Sequence, residues 1–201
     1  MKKILLVLIA LSVITFLVYQ QVSSTDQQKK KWELFWEDRH DFFKNSQASP
    51  FVQKGADYEE VPVFPFDASL RVNASLDRYE TRKIVTLGNS DGTSTKYLKY
   101  ARANFTILEI DQTLVILKTL GFGAQYLTAF GDETSGVSTY GGGRYLDLEL
   151  GKSDRIEIDF NKAYNPYCAY FEDFTCPLPP LENLLTVPIK AGERVKTESG
   201  D

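Results

Sequence analysis

One histidine, one methionine, two tryptophans and two cysteines are all that this 201-residue chain has of those types. A lone imidazole, His40, cannot build the His-rich ligand sets of most catalytic zinc sites, and no Gly-x-Ser-x-Gly turn accompanies it. Transition-metal centres and serine hydrolases are therefore not expected. Cys168 and Cys176 fit neither zinc-ligand nor redox Cys-x-x-Cys spacing. No cysteine follows the N-terminal apolar run, which excludes lipoprotein processing. Basic residues are outnumbered, 23 Lys and Arg against 27 Asp and Glu, for a formal charge of -4. A phosphate backbone would be repelled by that balance, and no basic stripe offsets it, so no nucleic-acid partner is expected.

What is present describes one globular domain. Apolar residues make up 43% and charged residues 25%, which excludes global disorder. Aromatics reach 13%, a proportion that suits strands better than a helical bundle. Residues 1–19 carry Lys2 and Lys3 ahead of an apolar run broken only by Ser12 and Thr15. This is the pattern of a signal peptide or signal-anchor. Both fit, and the uncleaved anchor is the reading taken, with the domain held extracytoplasmically (periplasmic or at the cell surface) through this membrane-bound segment. A polar tether follows over residues 20–28, then a single β-rich domain over 29–193 and a frayed tail over 194–201.

Trp32, Phe35, Trp36, Arg39, Phe42 and Phe43 recur at helical spacing, so residues 27–45 are predicted to be an amphipathic helix packed on the domain. Beyond the extended stretch VPVFPF, strand signals repeat at short intervals: 70–74, 83–87, 97–108, 113–120, 125–130, 144–150, 155–160 and 185–190. The predicted fold class is mainly β, an antiparallel sandwich or open barrel with one N-terminal amphipathic helix packed on it.

Residues 140–180 concentrate the candidate chemistry. Leu146 and Leu148 alternate with Tyr145, Asp147 and Glu149, and Ile156 and Ile158 with Arg155, Glu157 and Asp159. Paired as a hairpin, these strands would share one aliphatic and one acidic face. Facing carboxylates suit an acid–base pair or a divalent cation; a solvated outer face is the plainer alternative. No cofactor is predicted, and a divalent cation is the one inorganic partner such acids would take. Gly141, Gly142 and Gly143 precede Arg144. Their N–H groups could converge on an anion beside a bidentate donor, or the glycines could make a tight bend. In an exported chain, Cys168 and Cys176 are expected to form a disulfide.

The runs FGDETSGVSTYGGGRYLDLEL, DFNKAYNPYCAY and CPLPPLENLLTVPIKAGE, with VPVFPFDASLRVNAS upstream, closely resemble the bacterial domain-of-unknown-function family 1684 over residues 32–193. The resemblance implies a shared fold and carries no activity. It groups Asp132, Tyr140, Gly142, Gly143, Arg144, Tyr145, Asp147, Asp159, Asn161, Tyr164 and Asn165, and leaves out Glu149 and Glu157. Asp147 and Asp159 thereby become the candidate catalytic pair. Gly141, Gly142, Gly143, Arg144, Tyr145, Asn161 and Asn165 become the candidate pocket for a small polar or anionic ligand. The expected function is binding of that ligand by an exported module. A hydrolase built on Asp147 and Asp159 and an envelope-assembly partner are the alternatives.

Overall fold

The structure, a computed structural model, describes residues 2–195. Its first element, α1 (Lys2–Asn45), is unbroken because no glycine or proline occurs before Pro50. Either would cost a helix interior about 1–3 kcal/mol. The stretch 20–28, expected as a polar tether, is thus part of the helix. Among the described residues no helix is long and apolar enough to cross a membrane. The apolar run of residues 4–19 spans only about 24 Å along the helix, against a hydrocarbon core of about 30 Å.

The aromatic stripe of α1 faces the domain. Trp36 is buried and its Nε1 donates to the Asn161 carbonyl at 3.1 Å. Phe43 is fully buried among Phe51, Tyr58, Tyr167 and Tyr170. A short second helix, α2 (Pro50–Lys54), starts where Ser49 Oγ accepts from the Phe51 N–H at 3.2 Å.

Six strands follow: β1 (Arg71–Gly88), β2 (Ser94–Ile107), β3 (Ile110–Lys118), β4 (Tyr126–Phe130), β5 (Arg144–Leu148) and β6 (Arg155–Asp159). They form one antiparallel sheet in the order β5-β4-β3-β2-β1-β6, curled into a half-barrel. The predicted strands 70–74 and 83–87 are one long β1, whose register against β2 shifts between Arg78 and Lys83. Such a bulge bends a strand and sharpens its twist, which here helps the sheet to curl. Leu108 and Glu109 turn β2 into β3 with both φ values positive, as a two-residue primed turn requires.

The concave face holds the main core, to which Leu114 and Ile116 of β3, Leu146 and Leu148 of β5, and Ile156 and Ile158 of β6 contribute. Val115 and Leu117 of β3 point the other way, into a smaller cluster with Leu87 and Leu127, so this central strand is buried on both faces. The mouth of the half-barrel is filled by Leu185, Val187, Ile189 and Ala191, alternate residues that are all buried. No ladder forms over 185–190, however. Pro188 has no N–H to donate, and only Leu184 bridges to the sheet, at Gly131.

β5 and β6 do not pair as the expected hairpin. β5 is bonded to β4 and β6 to β1, which makes them the two edges of the sheet. Electrostatics favours this outcome. On β1, Arg71 reaches Glu157 at 2.6 Å and Asp159 at 3.2 Å, whereas a β5–β6 hairpin would set carboxylate against carboxylate.

Candidate functional site

Because the sheet curls, its two edges line one cleft of about 870 Å³. Inward-facing Leu146, Leu148 and Ile156, with Leu150, supply its apolar surface. Outward-facing Asp147, Glu149, Arg155, Glu157 and Asp159 supply its rim. Phe35 of α1, Gln125 and Tyr126 at the start of β4, Lys162 and Tyr164 complete the lining. Backbone bonds between Tyr145 and Tyr164, at 2.8 and 3.0 Å, occupy the start of the β5 edge.

Asp147 and Asp159 both line this cleft, but each is held by partners of its own. Asp147 Oδ1 accepts from the Tyr164 hydroxyl at 3.0 Å. Burial, and then the Asp147 charge, push the Tyr164 phenol well above its ordinary pKa. Asp159 Oδ1 accepts from the Asn161 N–H and Nδ2, at 3.2 and 2.9 Å, and its Oδ2 faces Arg71. Asn161 is fully buried and spans to the backbone of Asp67 with two bonds of 2.8 Å. It is a clasp between the entry to β1 and the end of β6. Among the described residues no three His, Cys, Asp or Glu side chains come together to hold a metal ion. Phe35, Tyr126 and Lys162 were not expected in the site. They come from three distant segments, and no local pattern marks them.

Arg144, the cation expected to meet a ligand, lines neither this cleft nor the glycine bend. It is 1% exposed and pairs with Asp132 at 2.8 Å, itself buried. Its two Nη atoms donate to the carbonyls of Ile189, Ala191 and Glu193. Asp132 Oδ1 accepts from the Ile189 N–H at 3.1 Å. Together the pair supplies the extended 185–193 segment with bonds that a neighbouring strand would otherwise make. A second buried acid, Glu193, accepts from Arg39 Nε at 3.0 Å, the Tyr170 hydroxyl at 2.6 Å and the Asn165 N–H. Asn165 is therefore also part of the interior. Asn183 does comparable work between β3 and β4, bonding Val115 N, Val115 O, Thr128 Oγ1 and Ala129 O at 2.6–3.1 Å.

The three glycines form a close-packed bend. A Cβ on Gly142 would lie 2.5 Å from the Tyr140 ring. Gly143 has φ +86°, and a Cβ there would strike Pro179 and the Phe130 carbonyl. Close approach and a left-handed backbone, rather than an anion, account for the sequence Gly142-Gly143. The shallow hollow beside it, about 430 Å³, is a separate feature from the cleft. The Tyr145 hydroxyl donates to the Pro177 carbonyl.

The expected disulfide is not formed. Cys168 and Cys176 are free thiols, with the Cys168 N–H donating to Cys176 Sγ at 3.2 Å. Burial, and then the Cys168 side chain, push the Cys176 thiol up to about 12, against the lowering effect of the Cys168 N–H. The Tyr140 hydroxyl lies 3.8 Å from Cys168 Sγ.

Comparison with known proteins supports the expected family. The family model described as a protein of unknown function (DUF1684) matches residues 56–194, starting later than the expected 32 and leaving α1 ahead of it. An uncharacterized protein from Haloarcula marismortui, solved by solution NMR, is similar at 30% identity and a TM-score of 0.68. That match covers 88% of this chain and 99% of the other. No curated protein matches.

Proposed function

We propose, from the premise that this chain belongs to the family of proteins of unknown function DUF1684, that it is an extracytoplasmic binding module with its ligand seated between β5 and β6. The cleft carries this reading. Its volume of about 870 Å³ falls within the range of small-molecule sites, and it combines apolar walls with a few convergent polar groups. Four carboxylates against two cations on its lining favour a neutral or cationic polar ligand over an anion. The anionic version depended on Arg144, which is already surrounded by Asp132 and three carbonyls. No observation favours the hydrolase over simple binding, since Asp147 and Asp159 each have a separate partner.

Membrane attachment through residues 1–19 belongs to the same proposal. Leu11, Ile14 and Phe16 are more than half exposed; the short apolar run would cross only with local thinning of the bilayer and snorkelling of Lys2 and Lys3, which would remain on the cytoplasmic side. Replacing Leu11 and Ile14 by Lys should move the protein from the membrane to the soluble fraction; unchanged fractionation would remove this part.

Native mass spectrometry of the full chain, purified from its own host in detergent, tests the cleft. A polar ligand should co-purify with the wild type and be lost from Gln125→Trp, which obstructs the rim from an exposed position without entering the core. A ligand retained by that variant would place binding elsewhere.

A further inference from the structure

β5 and β6 have edges whose hydrogen-bonding groups face the cleft. In an antiparallel ladder, alternate residues direct their N–H and C=O toward opposite sides. Tyr145 exchanges both its bonds with Tyr164, away from β4, so Asp147, two residues on, presents its backbone in the same direction. On β6 the Leu76 N–H donates to the Asp154 carbonyl at 2.9 Å, which fixes 154, 156 and 158 as the residues bonded toward β1. The backbones of Glu157 and Asp159 accordingly point away from β1. Among the described residues, the N–H groups of Asp147, Glu157 and Asp159 have no hydrogen-bond partner. Two strand edges, that of β5 unpaired only beyond its bonds to Tyr164, thus border a cleft whose inner wall is aliphatic and whose outer rim is acidic.

We infer that the ligand of this cleft is an extended peptide segment, taken up as an added strand between β5 and β6, with apolar and basic side chains in alternation. This deepens the binding-module reading and rests on it. Strand addition satisfies the exposed edge groups, which otherwise remain a template for pairing. Alternate side chains of the added strand point inward onto Leu146, Leu148 and Ile156. The others point outward among Asp147, Glu149, Glu157 and Asp159, where lysine or arginine is the complementary choice. β5 and β6 are both five residues long, so the part of the segment they grip is short.

The test is hydrogen exchange of the full chain in detergent with the capped peptide Lys-Val-Lys-Val-Lys. Exchange should slow in the protein segments containing Asp147 and Glu157–Asp159. A version N-methylated at both valines should bind about tenfold more weakly, for the loss of edge bonds. The reordered peptide Lys-Lys-Val-Val-Lys, with equal charge, should also bind more weakly. If all three peptides bind alike, or exchange is unchanged, strand addition is overturned. A co-purified small ligand blocked by Gln125→Trp would then leave the cleft reading standing, and the lack of any ligand or peptide binding would end both. A dimer that protects the same amides would assign the seam to a second copy of this chain and overturn the peptide.

Discussion

Arg144 and Asp147 are three residues apart in one short strand, yet they belong to opposite kinds of structure. Both Nη atoms of Arg144 are engaged, by Asp132 and the 185–193 carbonyls, beside the Glu193 cluster, and only its Nε has no partner. Asp147 is exposed beside a strand edge with hydrogen-bonding capacity left over. Both residues are polar, and both fall in the stretch where the sequence concentrates its unusual residues. Satisfaction of hydrogen bonds, rather than residue type, separates interior scaffold from candidate site. A buried charge ringed by carbonyls has little left to offer a ligand; an exposed acid at an unpaired edge does.

Four measurements would break or sharpen this contrast. The largest effect is expected from Arg144→Met, which leaves the Asp132 carboxylate buried without its cation and several carbonyls without donors. Urea denaturation should show a loss of about 3–5 kcal/mol. A loss below about 1 kcal/mol would mean that Arg144 is not the anchor of the 185–193 segment. Next, Asn183→Ala removes the side chain that bonds four groups between β3 and β4, for a loss of about 2–4 kcal/mol in the same assay.

The third is a pH effect. Burial raises the phenol pKa of Tyr145 and Tyr164 and the thiol pKa of Cys176 in the folded state. Groups with raised folded values favour the folded state fully below their unfolded values and lose that contribution as pH rises through the folded ones. Urea midpoints should hold to about pH 9 and then fall steadily toward pH 12. Tyr164→Phe should make that fall shallower; an identical slope would argue against a buried, neutral Tyr164. Smallest is Asp147→Asn on the exposed side of the contrast. Stability should change by less than about 0.5 kcal/mol, while binding of a cationic ligand at the seam should weaken. A destabilisation as large as that of Arg144→Met would erase the distinction.

Alternation in 144–150 and 155–160 correctly assigned Leu146, Leu148, Ile156 and Ile158 to the core, because a strand's side-chain period of two holds whatever its partner. It could not identify the partner, and the hairpin it suggested lost to β1, whose Arg71 neutralises Glu157 and Asp159. Three adjacent glycines mark an unusual backbone, but an anion-binding turn and a close-packed bend call for the same residues. Tyr140 and Pro179, packed against the bend, decide between them. The strand predicted over 185–190 took no account of Pro188, and nothing local indicated that the Arg144–Asp132 pair would stand in for the missing ladder.

By itself, then, the sequence determined what depends on neighbouring residues. It dictated the β-rich class, the N-terminal helix and its aromatic stripe, the alternating buried positions, the family, and the concentration of unusual residues in 140–180. Helix and strand periodicity, turn chemistry and composition act over a few residues and can be read from them. Only the tertiary structure decided that β5 and β6 would be the two edges of one curled sheet, that Arg144 would be sealed inside, and that Phe35, Tyr126 and Tyr164 would meet at the open seam. Those outcomes turn on contacts between residues tens of positions apart, which a local pattern of alternation does not encode.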